Sequence, residues 1–145
     1  MRKILFVLSL LWCVVSNAQY HCTVISATRS DVTLRSTGYG KNVKLAAKDA
    51  ELNAVNTLLY AGVEGTSYSL PLIPTTRSEA ESQNKKFFED FYDISYKDFI
   101  KSSVTVTAFG KDAEKRKCVT LDVCVRAESL RSFLEKNGVI RRFGF

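Results

Sequence analysis

Histidine is almost missing from this chain, with His21 the single example among 145 residues. An HExxH helix or a histidine-based zinc set therefore cannot be assembled, and no CxxC pair replaces it. No GxSxG elbow occurs, and a serine triad would have to draw its base from His21. That residue adjoins Cys22 on an expected strand, where neighbouring side chains point to opposite faces, so a Cys–His couple is geometrically poor. A phosphate loop is lacking too. The stretch TGYGKN (37–42) sets two glycines and a lysine before a helix. Lys41 is followed by Asn42, however, where a P-loop needs Ser or Thr, and Gly38-x-Gly40 lacks the third glycine of a dinucleotide fingerprint. No cofactor, no metal and no catalytic residue set is expected, and the chain is read as a non-enzyme. A pair of carboxylates converging from distant positions is the one hydrolytic arrangement that spacing leaves open. Most acids (Asp49, Glu51, Glu79, Glu81, Glu89, Asp90) fall on helix faces expected to meet solvent. Asp122 lies between apolar neighbours on a strand and is expected to point outward.

Long apolar runs are also missing beyond the first 18 residues. Those begin with Arg2 and Lys3, continue through an apolar stretch at 4–15, and end in Ser16-Asn17-Ala18. A basic region, a short apolar region and small residues at −3 and −1 read as a secretory signal peptide cleaved after Ala18. Twelve apolar positions fall short of the ~20 that a membrane-spanning helix needs. Neither Cys13 nor Cys22 is preceded by the small residues of a lipidation site. The expectation is an exported protein, periplasmic or extracellular, whose residues 19–145 form one α+β domain.

Loss of Arg2 and Lys3 removes two charges from a formal +6, so no strongly basic surface remains and no nucleic acid is expected. The excess gathers at 111–117 (KDAEKRK) and at Arg141-Arg142. These read first as a solvated turn and tail, and a membrane surface is a weaker alternative. Cys22, Cys118 and Cys124 follow the signal, and three thiols allow one internal bridge at most. Cys118 and Cys124 on one strand would stand ~20 Å apart, too far to join. A bridge would pair Cys22 with Cys118 or Cys124, and three buried thiols are equally acceptable.

Residues 20–37 alternate as two strands about an Arg29-Ser30-Asp31 break. A helix is expected over 43–61, capped by Asn42 and stopped by Gly62. Its stripe of Val43, Ala47, Ala50, Ala54, Leu58 and Ala61 would let it lie close to a sheet, while Leu45, Leu52 and Leu59 form a second apolar face. Ser78 and Glu81 suggest a capping box opening a second helix, whose Ala80, Phe87, Phe88, Phe91 and Tyr92 read as core. Residues 99–109 and 117–126 read as a hairpin closed by 110–116, with Val119, Leu121, Val123 and Val125 on one face. A last helix over 127–137 buries Leu130, Phe133 and Leu134, and the tail 139–145 is a weak edge-strand candidate. The order β-β-α-α-β-β-α predicts an antiparallel sheet of about four strands with helices packed on it.

The block STGYGKNVKLAAKDAELNAVNTLLYAG resembles the start of the N-terminal domain of flagellar assembly protein T and of a related family of small bacterial envelope lipoproteins. There a strand ending in glycine enters a helix with alanines at roughly four-residue intervals, and Gly38, Ala46, Ala50 and Ala54 match that pattern. The resemblance implies a compact α+β envelope module used in building or anchoring surface structures, without catalysis. The signal ending SNAQ also looks like that of small secreted Bacteroidota proteins. The functional expectation is an exported accessory module that binds another envelope protein. Its candidate contacts are the Leu45/Leu52/Leu59 face, the hairpin tip (Lys115, Arg116, Lys117) and the tail (Arg141, Arg142, Phe143, Phe145), where arginine and phenylalanine combine charge with anchoring area. A small-ligand or glycan binder using Tyr68 or the rings of 87–92 is the alternative, and a carboxylate-dependent hydrolase comes third.

Overall fold

The computed structural model describes residues 22–142. The expected signal peptide and its cleavage site, His21, Phe143 and Phe145 lie outside the described residues. Four antiparallel strands form one sheet in the order β1-β2-β4-β3. They are β1 (Cys22–Ala27), β2 (Val32–Tyr39), β3 (Ile100–Lys111) and β4 (Lys117–Val125). The helices are α1 (Val43–Asn56), α2 (Arg77–Gln83), α3 (Lys85–Asp93) and α4 (Ala127–Lys136), giving the α+β architecture expected.

Alternation decides which face is buried. Val32, Leu34, Ser36 and Gly38 of β2 sit beside Val119, Leu121, Val123 and Val125 of β4, and all are covered by helices. Thr33, Arg35, Thr37 and Tyr39, with Cys118, Thr120, Asp122 and Cys124, occupy the other face, as period-2 side-chain direction requires. Among the described residues β1 and β3 pair on one side only, and most of their residues are exposed.

Helix α1 runs back along β2 in close approach. Its buried stripe is Ala46, Ala50 and Ala54, joined by Val55, Leu58 and Leu59. Val43 and Ala61 are exposed, so the stripe is rotated from the one expected: Ala46 replaces Ala47 at the contact. The reason is Gly38. A methyl group placed there would overlap the Ala46 carbonyl and the Ala50 backbone, so only glycine lets the strand reach the helix. The Ser36 hydroxyl, fully buried, donates to Ala50 O at 2.8 Å across the same contact. Asn42 caps the helix as expected, its Oδ1 accepting from Leu45 N at 2.9 Å.

The far end of α1 widens into a π-helical turn, Thr57–Ala61, closed by Gly62 N donating to Thr57 O at 2.8 Å. Gly62 then takes φ +78°, the left-handed value that suits glycine. The carbonyls of Leu58 and Leu59 turn outward and accept from Leu72 N (3.0 Å) and Ile73 N (2.9 Å). The wide turn thus holds the 67–75 loop against the core.

Three expectations are corrected. The capping box is Thr76 with Glu79, two residues before Ser78 and Glu81. The single second helix is two, α2 and α3, broken at Asn84 where φ −128° and ψ 43° leave the helical region. Residues 139–142 make no strand: Val139 N bonds to Leu134 O, and Val139 and Ile140 pack on the core. One element was unforeseen, a 3-10 turn at Ser95–Phe99. It joins α3 and α4 through an aromatic cluster: Phe91 stands 6.3 Å from Phe99 and 6.4 Å from Phe133, and Phe99 5.0 Å from Phe133.

Candidate functional site

The outer sheet face carries one charge pair at its centre. Strand register sets Arg35 beside Asp122. The guanidinium meets the carboxylate twice, at 2.9 and 3.1 Å, a geometry that lysine would not reproduce. Asp122 points outward as expected, and the Arg35 hydrogen bond holds its pKa below the usual carboxylate range. Thr37 and Thr120 hydroxyls meet at 2.9 Å one row away.

The hairpin tip is a structured loop. Asp112 Oδ1 accepts from Glu114 N and Arg116 N, both at 2.9 Å, and its Oδ2 accepts from Arg116 Nε at 3.0 Å. Lys115 takes φ 61° to close the turn. Those backbone bonds, from Arg116 first, lower the Asp112 pKa. The Arg116 guanidinium also lies 4.4 Å from the Tyr39 ring centre. All three basic residues named at this tip are exposed, and Arg116 is in addition engaged by Asp112 and Tyr39.

Both depressed carboxyls carry a pH signature. A folded pKa below the unfolded value of about 4 gives stabilisation that is complete above pH 4–5 and drains away as pH falls through the folded value. The melting temperature should therefore drop between about pH 5 and pH 3, and Asp122→Asn should flatten that slope. Circular dichroism melts across this range check it. An Asp122→Asn slope identical to the parent's would remove Asp122 from the account.

Other polar side chains are tied into internal networks. Tyr92 Oη lies 3.1 Å from Tyr60 Oη and donates to Glu81 at 2.8 Å, and Arg77 donates to the same carboxylate at 2.6 Å. Burial, then the Tyr60 contact, pushes the Tyr92 phenol far above its ordinary pKa, which keeps it neutral at any working pH. Burial and Glu51 push Tyr96 up to about 12. Glu51 accepts from Ser103 at 2.8 Å and Tyr96 at 3.4 Å.

Cys22 shares register with buried Ser36 on the helix side, whereas Cys118 and Cys124 face the other way. The structure holds all three as free thiols, so the bridge of Cys22 to Cys118 or Cys124 is not formed. A sheet lies between the partners. Phe88, Phe91 and Tyr68 are buried, and Phe87 and Tyr92 are half-buried against Phe88 and Phe91, so these rings pack into the core rather than forming an open platform. Leu59 is buried, Leu52 half-buried and Leu45 exposed, so the leucine face runs from core to solvent and does not form one open surface.

No family model matches the chain, and neither a curated protein nor a solved structure does. Its chemistry has to be read from its own surfaces. Among the described residues no three His, Cys, Asp or Glu side chains gather as metal ligands. No described helix is long and apolar enough to cross a membrane. Among the described residues, four clefts on the helical side stand out. One, of about 360 Å³, lies between α3 and α4, with Lys86, Asp90, Phe133 and Asn137 in its wall. The other three adjoin the 67–75 loop, and none of the four brings two carboxylates together. From sequence, 62–76 (GVEGTSYSLPLIPTT) reads as a glycine- and proline-marked connection between helices, and the ordered cleft wall it forms was not read from it. Its signal was Pro71 and Pro74 alternating with leucine and isoleucine, a pattern consistent with an ordered loop. Arg141 lines one of these clefts, Arg142 is exposed, and Phe143 and Phe145 lie outside the described residues.

Proposed function

We propose that this chain is an exported, non-enzymatic accessory module that binds another cell-envelope protein. The observation that carries the reading is the open edge strand β3. Among the described residues it pairs with β4 alone, and residues 101–108 are exposed along its length. Val104 and Val106 are 59% and 43% exposed there. An unpaired strand offers backbone N–H and C=O groups that a second strand can complete, and proteins usually blunt or cover such an edge. Register shifts interrupt β3 on both sides of 102–105, so that short regular run is the favoured contact. Arg141 and Arg142 supply a second, charged contact. The order of basic, apolar and small residues over 1–18 supports export. The envelope-module resemblance over 34–62 agrees with this role.

A photo-crosslinking residue placed at Val104 or at Arg141, with Lys85 on α3 as control, tests the proposal in the producing cell. A discrete protein adduct is expected from position 104 and none from 85. Adducts from neither Val104 nor Arg141 would sink the reading.

A further inference from the structure

The three clefts beside the 67–75 loop are linked. The first, of about 300 Å³, is lined by Arg29, Ser67, Tyr68, Glu128, Arg131 and Ser132. Ser67 and Arg131 also wall the second, of about 540 Å³, whose remaining lining is Ser69, Leu70, Pro71, Leu72 and Pro74. Leu72 and Pro74 in turn wall the third, of about 410 Å³, which ends at Val139, Ile140 and Arg141. Shared walls make one groove with an apolar middle and cationic ends.

Its shape is fixed from below. The π turn holds Leu72 and Ile73 by their N–H groups. Val63 N bonds to Tyr68 O at 2.7 Å, and the Tyr68 hydroxyl donates to Arg29 O. Arg131 lies over the Tyr68 ring, 5.4 Å from its centre. Leu70, by contrast, is 77% exposed on the groove wall. A rigid floor with an exposed apolar side chain limits the ordering cost of binding.

We infer that this groove binds an extended segment of a partner protein, with an apolar centre flanked by acidic side chains. Charge complementarity decides the occupant. Arg29 and Arg131 stand at one end and Arg141 at the other, and among the described residues Glu128 is the single carboxylate lining any of the three clefts. Ser67, Ser69, Ser132, Thr75, Gln83 and Asn84 supply hydrogen-bonding rims suited to a peptide backbone. The tail's own Phe143 and Phe145 would bring apolar area but no acidic side chain, and they follow two arginines. The inference rests on the protein-binding reading but not on the β3 edge.

Selection of a displayed random dodecapeptide library on the purified chain tests it. Enriched peptides should carry Asp or Glu on both sides of an apolar centre. The best of them, synthesised and followed by fluorescence polarisation, should lose tenfold or more in affinity to the double variant R131E/R141E. Leu70→Ser, at an exposed position, should cost severalfold. A counterpart peptide with Lys in place of each acid should bind R131E/R141E better than the parent. Absence of enrichment, enriched peptides without acids, or affinity unmoved by R131E/R141E with an unchanged Tm would each overturn the inference. So would a tenfold gain on deleting 143–145, which would give the groove to the chain's own tail, or a dimer in light scattering that R131E/R141E dissolves. Overturning it while Val104 adducts persist leaves the proposed function standing, so the two fail separately.

Discussion

Gly38→Ala is expected to destabilise the fold by about 3 kcal/mol or more, on the order of 10 °C in Tm, at the upper end of what overpacking costs. The added methyl meets backbone, 2.8 Å from Ala50 Cα and closer to two other backbone atoms, and backbone cannot swing aside as a side chain can. Relief requires α1 to lift off β2. That movement breaks the buried bond from Ser36 to Ala50 O and opens the alanine stripe to water. Gly65→Ala is the matched control. Its φ of +76° imposes the left-handed penalty of ~1–2 kcal/mol, but a methyl there meets nothing within 4 Å. Urea unfolding of both variants measures the difference. Equal losses would mean that close packing of strand on helix is not what Gly38 provides.

Phe91→Ala should cost about 3–5 kcal/mol, the range for removing a buried phenylalanine. Phe91 is 1% exposed and lies between 5.6 and 6.4 Å from the rings of Phe87, Tyr92, Phe88, Phe99 and Phe133. Those rings belong to α3, the 3-10 turn and α4, so Phe91 bridges three short elements. The expected loss therefore includes loosening of α4 as well as the cavity itself. Ile94→Ala, three residues on and 70% exposed, should change stability by less than about 0.5 kcal/mol. Hydrogen exchange on Phe91→Ala, read at 130–134, would show the loosening. Protection there equal to the parent's would confine the damage to α3.

Much of the fold was legible from periodicity because its strands are simple. β4 alternates without a break, and its buried and open faces follow directly from residues 118–125. The close approach of α1 was legible in kind, since alanine repeated every four residues has little other use, but its rotation was set by a glycine on another element. The aromatic helix was read as core correctly and as one helix wrongly, because nothing in ESQNKKFF marks a break at Asn84 other than the asparagine itself. The capping box shifted by two residues since Thr76 and Ser78 both precede a glutamate at the right spacing, and only backbone geometry chooses between them. Contacts between distant segments were out of reach. Arg35 with Asp122 depends on register, and the groove depends on a loop folding back onto the Leu58 and Leu59 carbonyls at the end of the helical segment.

That last dependence constrains how the chain can change in length. A π turn accommodates one residue more than an α-helix does over the same rise, and such turns can arise by insertion into a regular helix. Deleting one residue within Thr57–Ala61 would let α1 continue as plain α-helix to its end. Everything after Gly62 would then start from a position turned by about 100°. The core could survive such a change, while the 67–75 loop would lose its seat. Variants one residue shorter at this point would be expected to keep the sheet and the alanine contact and to differ in the surface they present beside α4.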